Sequence, residues 1–197
     1  MLSHRKNMDL IKPIEDEEVV EVILVLYPDT APRSDGLTIN LYQCLWPLIK
    51  KHILYMLNNS RVKNKLGGGI NSSSLALIPK ESNPVNFSRF CPISLSNATY
   101  KILTKVMANW LKKFLSSFIA KNHGGFMQQR NILDNIVLVQ EPIHSRKESR
   151  EARIVIKLDM ANMFDKVDHS FLFLVMEKLG FCQEFLHGLK HVLVHAR

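Results

Sequence analysis

The stretch that most restricts how this chain can fold is an apolar run that ends abruptly on an acid. Residues 154–158 are rich in β-branched side chains, and Asp159 follows them directly. Alternation along a strand would place Ile156 and Leu158 on one face and Asp159 at the tip of the other. A strand that is buried on one face and ends in a carboxylate can hold a metal ligand rigidly. The plainer interpretation, which this stretch alone favours, is a strand that ends in a turn-forming Asp.

Basic residues are concentrated in the middle of the chain. Residues 50–133 hold 13 Lys and Arg and one acid, Glu81, so this block carries +12, whereas the whole chain carries +8. Such a block attracts phosphate backbones through the release of counterions. A solvated surface that maintains solubility is the alternative, but the near-absence of compensating acids favours a polyanionic partner.

Composition limits the class of protein. With 197 residues and 46% hydrophobic side chains, the chain can bury the core of one domain. Charges and turn residues interrupt every apolar run, so we expect no membrane partner, and the N-terminus lacks the apolar region of a signal peptide. Cys44, Cys91 and Cys182 are far apart and odd in number, which argues against a disulfide framework and predicts an intracellular, reducing location.

Apolar spacing and turn residues predict an α+β fold, mostly helical with a few short strands. The run from Val19 to Leu26 could form a helix or, by propensity, a strand. We expect Pro28 to end it and Pro47 to kink or break the next helix. In the first half of the chain the predicted elements are helices over 15–26 and 37–57, a flexible boundary over 58–74 and strands over 75–80 and 89–95. A long helix follows, capped by Ser96 or Asn97, with a buried apolar stripe as far as Phe118. The second half is predicted to hold a helix over 131–144, a charged loop over 145–153, a helix capped by Asp168 and closed by Gly180, and a last helix from about residue 183.

Short motifs follow one another in a fixed order along the chain. They are Pro28-Asp29 with Ala31-Pro32 and Asp35-Gly36; Leu77-Ile78-Pro79-Lys80; Pro92-Ile93-Ser94-Leu95-Ser96-Asn97 with Tyr100-Lys101-Ile102; Phe126, Arg130 and Ile132-Leu133-Asp134-Asn135; and Lys157-Leu158-Asp159 with Phe164-Asp165-Lys166-Val167. Their order and spacing over most of residues 13–181 resemble the reverse transcriptase of plant LINE-type (non-LTR) retrotransposons. Several ordered motifs at family spacing are far more specific than any one of them.

The resemblance implies a partial right-hand polymerase, with fingers and the beginning of the palm. Residues 1–74 would be an N-terminal extension upstream of the reverse transcriptase core. Residues 75–197 would be a partial reverse transcriptase domain, truncated before the second catalytic motif. The implied activity is that of an RNA-directed DNA polymerase, a nucleotidyltransferase, whose partners are an RNA template, a DNA primer and a dNTP.

The resemblance also assigns catalytic roles. The reaction uses Mg²⁺ ions, which prefer carboxylate oxygens. Asp159 would be the catalytic acid and metal ligand, with the backbone carbonyl of Met160 beside it. Phe164 would stack under the sugar of the incoming nucleotide and exclude a ribose 2′-hydroxyl. Asp165 would be structural or hydrogen-bonding, and a helix cap is an equal alternative for it.

Basic and polar positions complete the implied site. Lys80 would contact the triphosphate, with an ordinary exposed strand lysine as the alternative. The remaining residues match positions near the nucleotide and the template or supply charge to nucleic acid; they are Arg89 and Arg130 for the nucleotide, Lys101 and Lys105 for nucleic acid, and Asn135 as a supporting residue. A surface cap at a helix start is the alternative for Arg130 and Asn135.

Two departures from the family pattern bear on activity. Cys91 stands where an arginine usually grips the triphosphate, and Cys cannot replace its charge or fork geometry. On a strand, Arg89 would share the face of Cys91 but lie roughly 6–7 Å away, so it would replace the contact poorly. The family's adjacent pair of aspartates, which completes the metal site, does not occur in this sequence. We therefore expect no synthesis by this chain alone and keep two alternatives, a non-catalytic basic nucleic-acid-binding module and an inert pseudogene product.

Overall fold

The fold is known from a computed structural model that describes residues 1–28, 35–62, 69–120 and 166–194, together with residues 123, 131, 133, 136–141, 144, 156 and 158. The chain forms two compact units, one of residues 1–110 with 168–197 and one of residues 111–167.

The elements are mostly helical, with one small sheet, so the predicted α+β class is confirmed. They are α1 (His4–Ile11), α2 (Asp16–Val25), α3 (Ile39–Val62), β1 (Ser73–Pro79), β2 (Phe90–Ser96), α4 (Ala98–Leu115), α5 (His169–Lys178) and α6 (Gln183–Val194), with a 3₁₀ turn at Phe87–Arg89. No helix within the described ranges is long and apolar enough to cross a membrane.

The two strands form an antiparallel hairpin at the two predicted strand positions. Their register runs from Ser73 opposite Ser96 to Pro79 opposite Phe90. Most side chains on both faces of this hairpin are exposed. Asn97, the residue between β2 and α4, is buried, and its amide nitrogen donates to the carbonyl of Gly69 at 2.8 Å. The start of α4 is therefore tied to the start of the hairpin.

The core of the larger unit is helical. The predicted stripe on α4 is confirmed as far as Phe114, because Leu103, Val106, Met107, Trp110 and Phe114 are buried. Phe118, predicted to continue it, is half-buried and lies beyond the end of the helix at Leu115. Tyr100, on the same face, is half-buried and donates its hydroxyl to the carbonyl of Val192 at 2.7 Å, which ties α4 to α6. Helices α1 and α3 also pack against α6. Among the largest fully buried side chains are Leu10, Val19, Val22, Ile39, Tyr42 and Leu57.

Helix α3 is longer than predicted. It runs through Pro47, where a kink or break was expected, and continues to Val62. Trp46 and Leu57, buried on either side of the proline, anchor the helix to the core. The flexible boundary predicted over 58–74 is wrong over 58–62, which are helical. The side-chain amide of Asn58 accepts from the backbone N–H of Ile14 at 2.8 Å and donates to its carbonyl at 3.0 Å. Asn58, of a residue type common in turns, here lies inside a helix and joins it to the segment before α2.

The ends of α5 follow the predicted chemistry. Asp168 caps the helix and accepts from the amide of Phe171 at 3.1 Å. Gly180 closes it with φ of 93°, and a Cβ at that position would lie 3.1 Å from the backbone nitrogen of Leu2. Both the conformation and the close approach therefore favour glycine at this position.

The predicted buried strand before Asp159 is not found in the described residues. Ile156 and Leu158 lie outside any strand and are 73% and 86% exposed. A strand needs a neighbour to pair with, and the sheet in the described part of the chain pairs β1 with β2. Residues 136–141 are helical, within the helix predicted over 131–144, and the loop predicted over 145–153 lies outside the described residues.

Candidate nucleic-acid interface

Two predicted nucleotide-contact residues lie opposite each other at the loop end of the hairpin, where residues 80–89 join β1 to β2. The amide nitrogen of Lys80 donates to the carbonyl oxygen of Arg89 at 2.8 Å, one step beyond the last strand pair. The ammonium group of Lys80 donates to the carbonyl of Ser88 at 3.3 Å. The structure therefore brings the two cationic residues together, on a backbone fixed by hydrogen bonds.

Arg89 lies on a turn rather than on a strand. It is the last residue of the 3₁₀ turn, and its amide donates to the carbonyl of Asn86 at 2.9 Å. Strand β2 begins at the next residue, so the predicted sharing of a strand face between Arg89 and Cys91 is wrong. Cys91 is exposed and lies opposite Ile78. Arg89 faces Lys80 because the turn sets its backbone, which strand alternation could not predict.

An acid at the hairpin end moderates this charge. A guanidinium nitrogen of Arg89 lies 3.6 Å from a carboxylate oxygen of Glu81, and both side chains are exposed. Glu81 is the single acid of the basic block over residues 50–133. An exposed pair of this kind contributes little in water, so Arg89 remains available to a phosphate.

The basic block supplies less surface charge than its composition indicates, because two of its members hold the fold together. The ammonium group of Lys50 donates to Asp16 at 2.7 Å. Arg61 lies over the ring of Trp110 at 5.5 Å and donates to the carbonyl of Leu10 at 3.5 Å. Burial lowers the pKa of Arg61, and the nearby Glu18 opposes that shift.

The other predicted nucleic-acid contacts lie along α4. Lys101 and Lys105 are half-buried on successive turns, so they share one side of the helix. Because Asn97 alone separates β2 from α4, these lysines follow closely on the hairpin in the chain. The exposed cations of the described part of the basic block are Lys51, Lys80, Arg89, Lys112 and Lys113.

The predicted catalytic residues cannot be placed in this site. Asp159, Met160, Phe164, Asp165, Arg130 and Asn135 lie outside the described residues, so their roles stay predictions. Within the described ranges, no three His, Cys, Asp or Glu side chains lie close enough together to hold a metal ion.

One residue of the hairpin end escaped the sequence analysis. Phe87 opens the 3₁₀ turn and is 85% exposed, two residues before Arg89. The sequence does contain a sign of this exposure, because Phe87 stands in a polar turn segment between Pro84 and Arg89. Aromatic side chains beside cations are typical of surfaces that bind single-stranded nucleic acid.

Comparisons with known proteins agree on one family. A family model described as "Reverse transcriptase (RNA-dependent DNA polymerase)" matches residues 78–195. The chain is 26% identical over 196 residues to the transposon TX1 uncharacterized 149 kDa protein of Xenopus laevis, which covers 100% of this chain and 15% of that protein. It is 28% identical over 172 residues to the retrovirus-related Pol polyprotein from the type-1 retrotransposable element R2 of Popillia japonica, which covers 86% of this chain and 23% of that protein. The chain thus spans less than a quarter of either relative.

Proposed function

This chain belongs to the reverse transcriptase (RNA-dependent DNA polymerase) family, and we propose that its own contribution is to grip nucleic acid and the incoming nucleotide through the end of the hairpin. The predicted resemblance to the reverse transcriptases of non-LTR retrotransposons is confirmed at that level. The narrower placement among plant LINE-type elements stays a prediction.

The observation that supports this proposal most strongly is the position of Lys80 and Arg89. Phosphate oxygens are bound by cations, and Lys and Arg contacts to phosphate fix the register of a protein on nucleic acid. Both side chains project from the loop end of the hairpin. There the backbone amide of Lys80 donates to the backbone carbonyl of Arg89 at 2.8 Å. The lysines of α4 follow the other end of β2, about 20 Å along the strand from Arg89, so they would contact a more distant part of the nucleic acid.

We propose RNA-templated DNA synthesis as the activity of the enzyme to which this chain corresponds. A divalent metal is a general requirement of the family, and bound Mg²⁺ would activate the primer 3′-oxygen and stabilise the leaving pyrophosphate. Asp159 and the carbonyl of Met160 would hold the metal, and Phe164 would lie under the sugar. One carboxylate and one carbonyl do not provide the oxygen ligands that two Mg²⁺ ions need, so we expect the 197-residue chain to bind without synthesis.

A non-catalytic nucleic-acid-binding module is the second candidate, and the exposed cations support it equally. The two candidates differ in what Asp159 does. In the polymerase, Asp159 would be one ligand of a metal site that further acids complete. In the non-catalytic module, loss of Asp159 would leave nucleic-acid binding unchanged. An RNA template, a DNA primer and a dNTP stay predicted partners of the intact family enzyme. An intracellular, reducing location, inferred from the three cysteines, which are free, stays a prediction for either candidate.

Two measurements on the whole chain test the proposal. Fluorescence anisotropy with a labelled single-stranded oligonucleotide should give a Kd of roughly 10⁻⁴–10⁻⁶ M at physiological salt, tightening as salt falls. Primer extension on an RNA template with Mg²⁺ should show no incorporation above background. Incorporation that disappears in Asp159→Ala would overturn the expected inactivity. No binding at low salt would overturn the proposed function.

A further inference from the structure

The most exposed aromatic side chain of the described residues is Phe87, at the end of the hairpin. It is 85% exposed, and neighbouring Val85 is 91% exposed. A single exposed apolar side chain is ordinary on a protein surface. Phe87 differs because of its backbone and its neighbours.

The backbone beneath Phe87 is fixed. The carbonyl of Phe87 accepts from the amide of Phe90, and the amide of Arg89 donates to Asn86 at 2.9 Å. Two further bonds, from the amide and the ammonium group of Lys80 to Arg89 and Ser88, hold the turn against the end of β1. The ring is therefore presented to solvent by an ordered turn.

The loop that carries Phe87 has a net positive charge. Residues 80–89 hold Lys80 and Arg89 against one acid, Glu81, which lies 3.6 Å from Arg89. Aromatic rings that stack on bases, beside cations that follow the phosphates, make up a binding surface for single strands.

We infer that Phe87 is a base-stacking residue, on which an unpaired base of a single-stranded template lies while Lys80 and Arg89 hold the flanking phosphates. This inference rests on the proposed function and adds a residue and a mode of contact to it. Stacking is tolerant of sequence, because every base has a π face. It also releases no counterions, so its contribution is independent of salt, unlike the phosphate contacts.

The salt dependence separates the two contributions in one experiment. Binding of the whole chain to a labelled single-stranded oligonucleotide is measured by anisotropy across a salt series, for the unaltered protein and for Phe87→Leu and Val85→Ala. Leucine keeps an apolar side chain without an aromatic face, and Val85→Ala is the matched control on the same loop. Phe87→Leu should weaken binding by about five-fold or more at every salt concentration, with an unchanged slope of log K against log salt. Val85→Ala should leave both quantities unchanged.

A second variant reports the contact directly. Trp46 and Trp110, the two tryptophans of the chain, are buried, at 8% and 2% exposure. Phe87→Trp therefore introduces an exposed indole, whose fluorescence should be quenched by the oligonucleotide and much less by an abasic oligonucleotide of the same length. Circular dichroism checks that each variant is folded.

The outcomes separate the inference from the proposed function. If the unaltered chain binds with a salt-dependent slope but Phe87→Leu binds within two-fold of it, and the indole is quenched equally by the abasic strand, the stacking role is wrong while the phosphate contacts stand. If the unaltered chain does not bind even at low salt, the proposed function fails and the inference fails with it.

Discussion

The indole nitrogen of Trp110 donates to the carboxylate of Glu18 at 2.8 Å, so the end of α4 is joined to the start of α2 across ninety-two positions of the chain. Lys12 lies 2.9 Å from the same carboxylate, and Arg61 lies over the face of the indole ring. The N-terminal helices thus hold the helix that follows the hairpin. The predicted boundary between residues 74 and 75 stays a prediction, but residues on both sides of it belong to one compact unit.

Removal of the Glu18 carboxylate should destabilise the fold. In Glu18→Ala the buried indole N–H of Trp110 loses its acceptor, and leaving such a donor unsatisfied costs about 1–3 kcal/mol. Urea unfolding should show this loss in the free energy of unfolding. Glu21→Ala, an exposed acid on the same helix, is the control and should change the free energy by less than about 0.5 kcal/mol. Equal effects of the two substitutions would contradict the structural role of Glu18.

Stability should fall as the pH falls below about 5. Burial raises the pKa of Glu18, but the bonds from Lys12, Trp110 and the amide of Glu15 outweigh it, so the pKa lies below its ordinary value of 4.5. Hydrogen bonds from Lys50 and Trp46 likewise lower the pKa of Asp16 from its ordinary value of 3.8. Groups whose pKa is lower in the folded state stabilise it above the unfolded pKa, and that contribution is lost as they are protonated.

The pH dependence has a direct measurement. The free energy of unfolding, followed by urea titration between pH 6 and 3, should fall less steeply in Asp16→Asn with Glu18→Gln than in the unaltered chain, because neither amide titrates. Parallel curves for the two proteins would show that other carboxylates set the acid sensitivity.

The N-terminal residues should be required for folding. A chain without residues 1–62 loses α1, α2 and α3, against which α4 and α6 bury Trp110 and other apolar side chains. We expect this shortened chain to lack a cooperative thermal transition by circular dichroism. A sharp transition in the shortened chain would mean that the hairpin and the remaining helices form a core without the N-terminal helices.

Removal of the Glu81 charge should strengthen binding to nucleic acid. Glu81 lies 3.6 Å from Arg89 and repels phosphate, so Glu81→Gln should tighten oligonucleotide binding at low salt by up to about five-fold, the usual range of an exposed pair. Glu21→Gln changes the same charge on α2 and should leave affinity nearly unchanged. Weaker binding in Glu81→Gln would indicate that the pair instead orders Arg89 for its contact.

Local chemistry made part of this fold predictable. The cap at Asp168, the glycine at 180 and the apolar stripe of α4 depend on residues within a few positions of each other, and all three are confirmed. The bond between Trp110 and Glu18 could not be predicted, because periodicity shows which face is buried but not what it meets. The same limit explains Asn58, whose partner Ile14 is forty-four positions away.

The candidate site was predictable in outline for similar reasons. Apolar spacing predicted the two strands and the family motifs identified Lys80. The predicted second strand wrongly included Arg89, because the short turn at Phe87–Arg89 has no sequence period of its own. Exposure of Phe87 depends on that turn and was missed with it. Ile156 and Leu158 had strand propensity, yet no described strand pairs with them.

The salt dependence of binding in a double variant tests the central claim most directly. Lys80→Ala with Arg89→Ala removes both cations from the hairpin end, and Arg5→Ala with Lys6→Ala removes the same charges from exposed positions on α1. Each phosphate contact contributes about 0.7–0.9 to the slope of log K against log salt. The account predicts that the hairpin variant loses roughly 1.4–1.8 of that slope while the α1 variant keeps the slope of the unaltered chain. Equal slopes in all three proteins, or an equal loss in both variants, would contradict it.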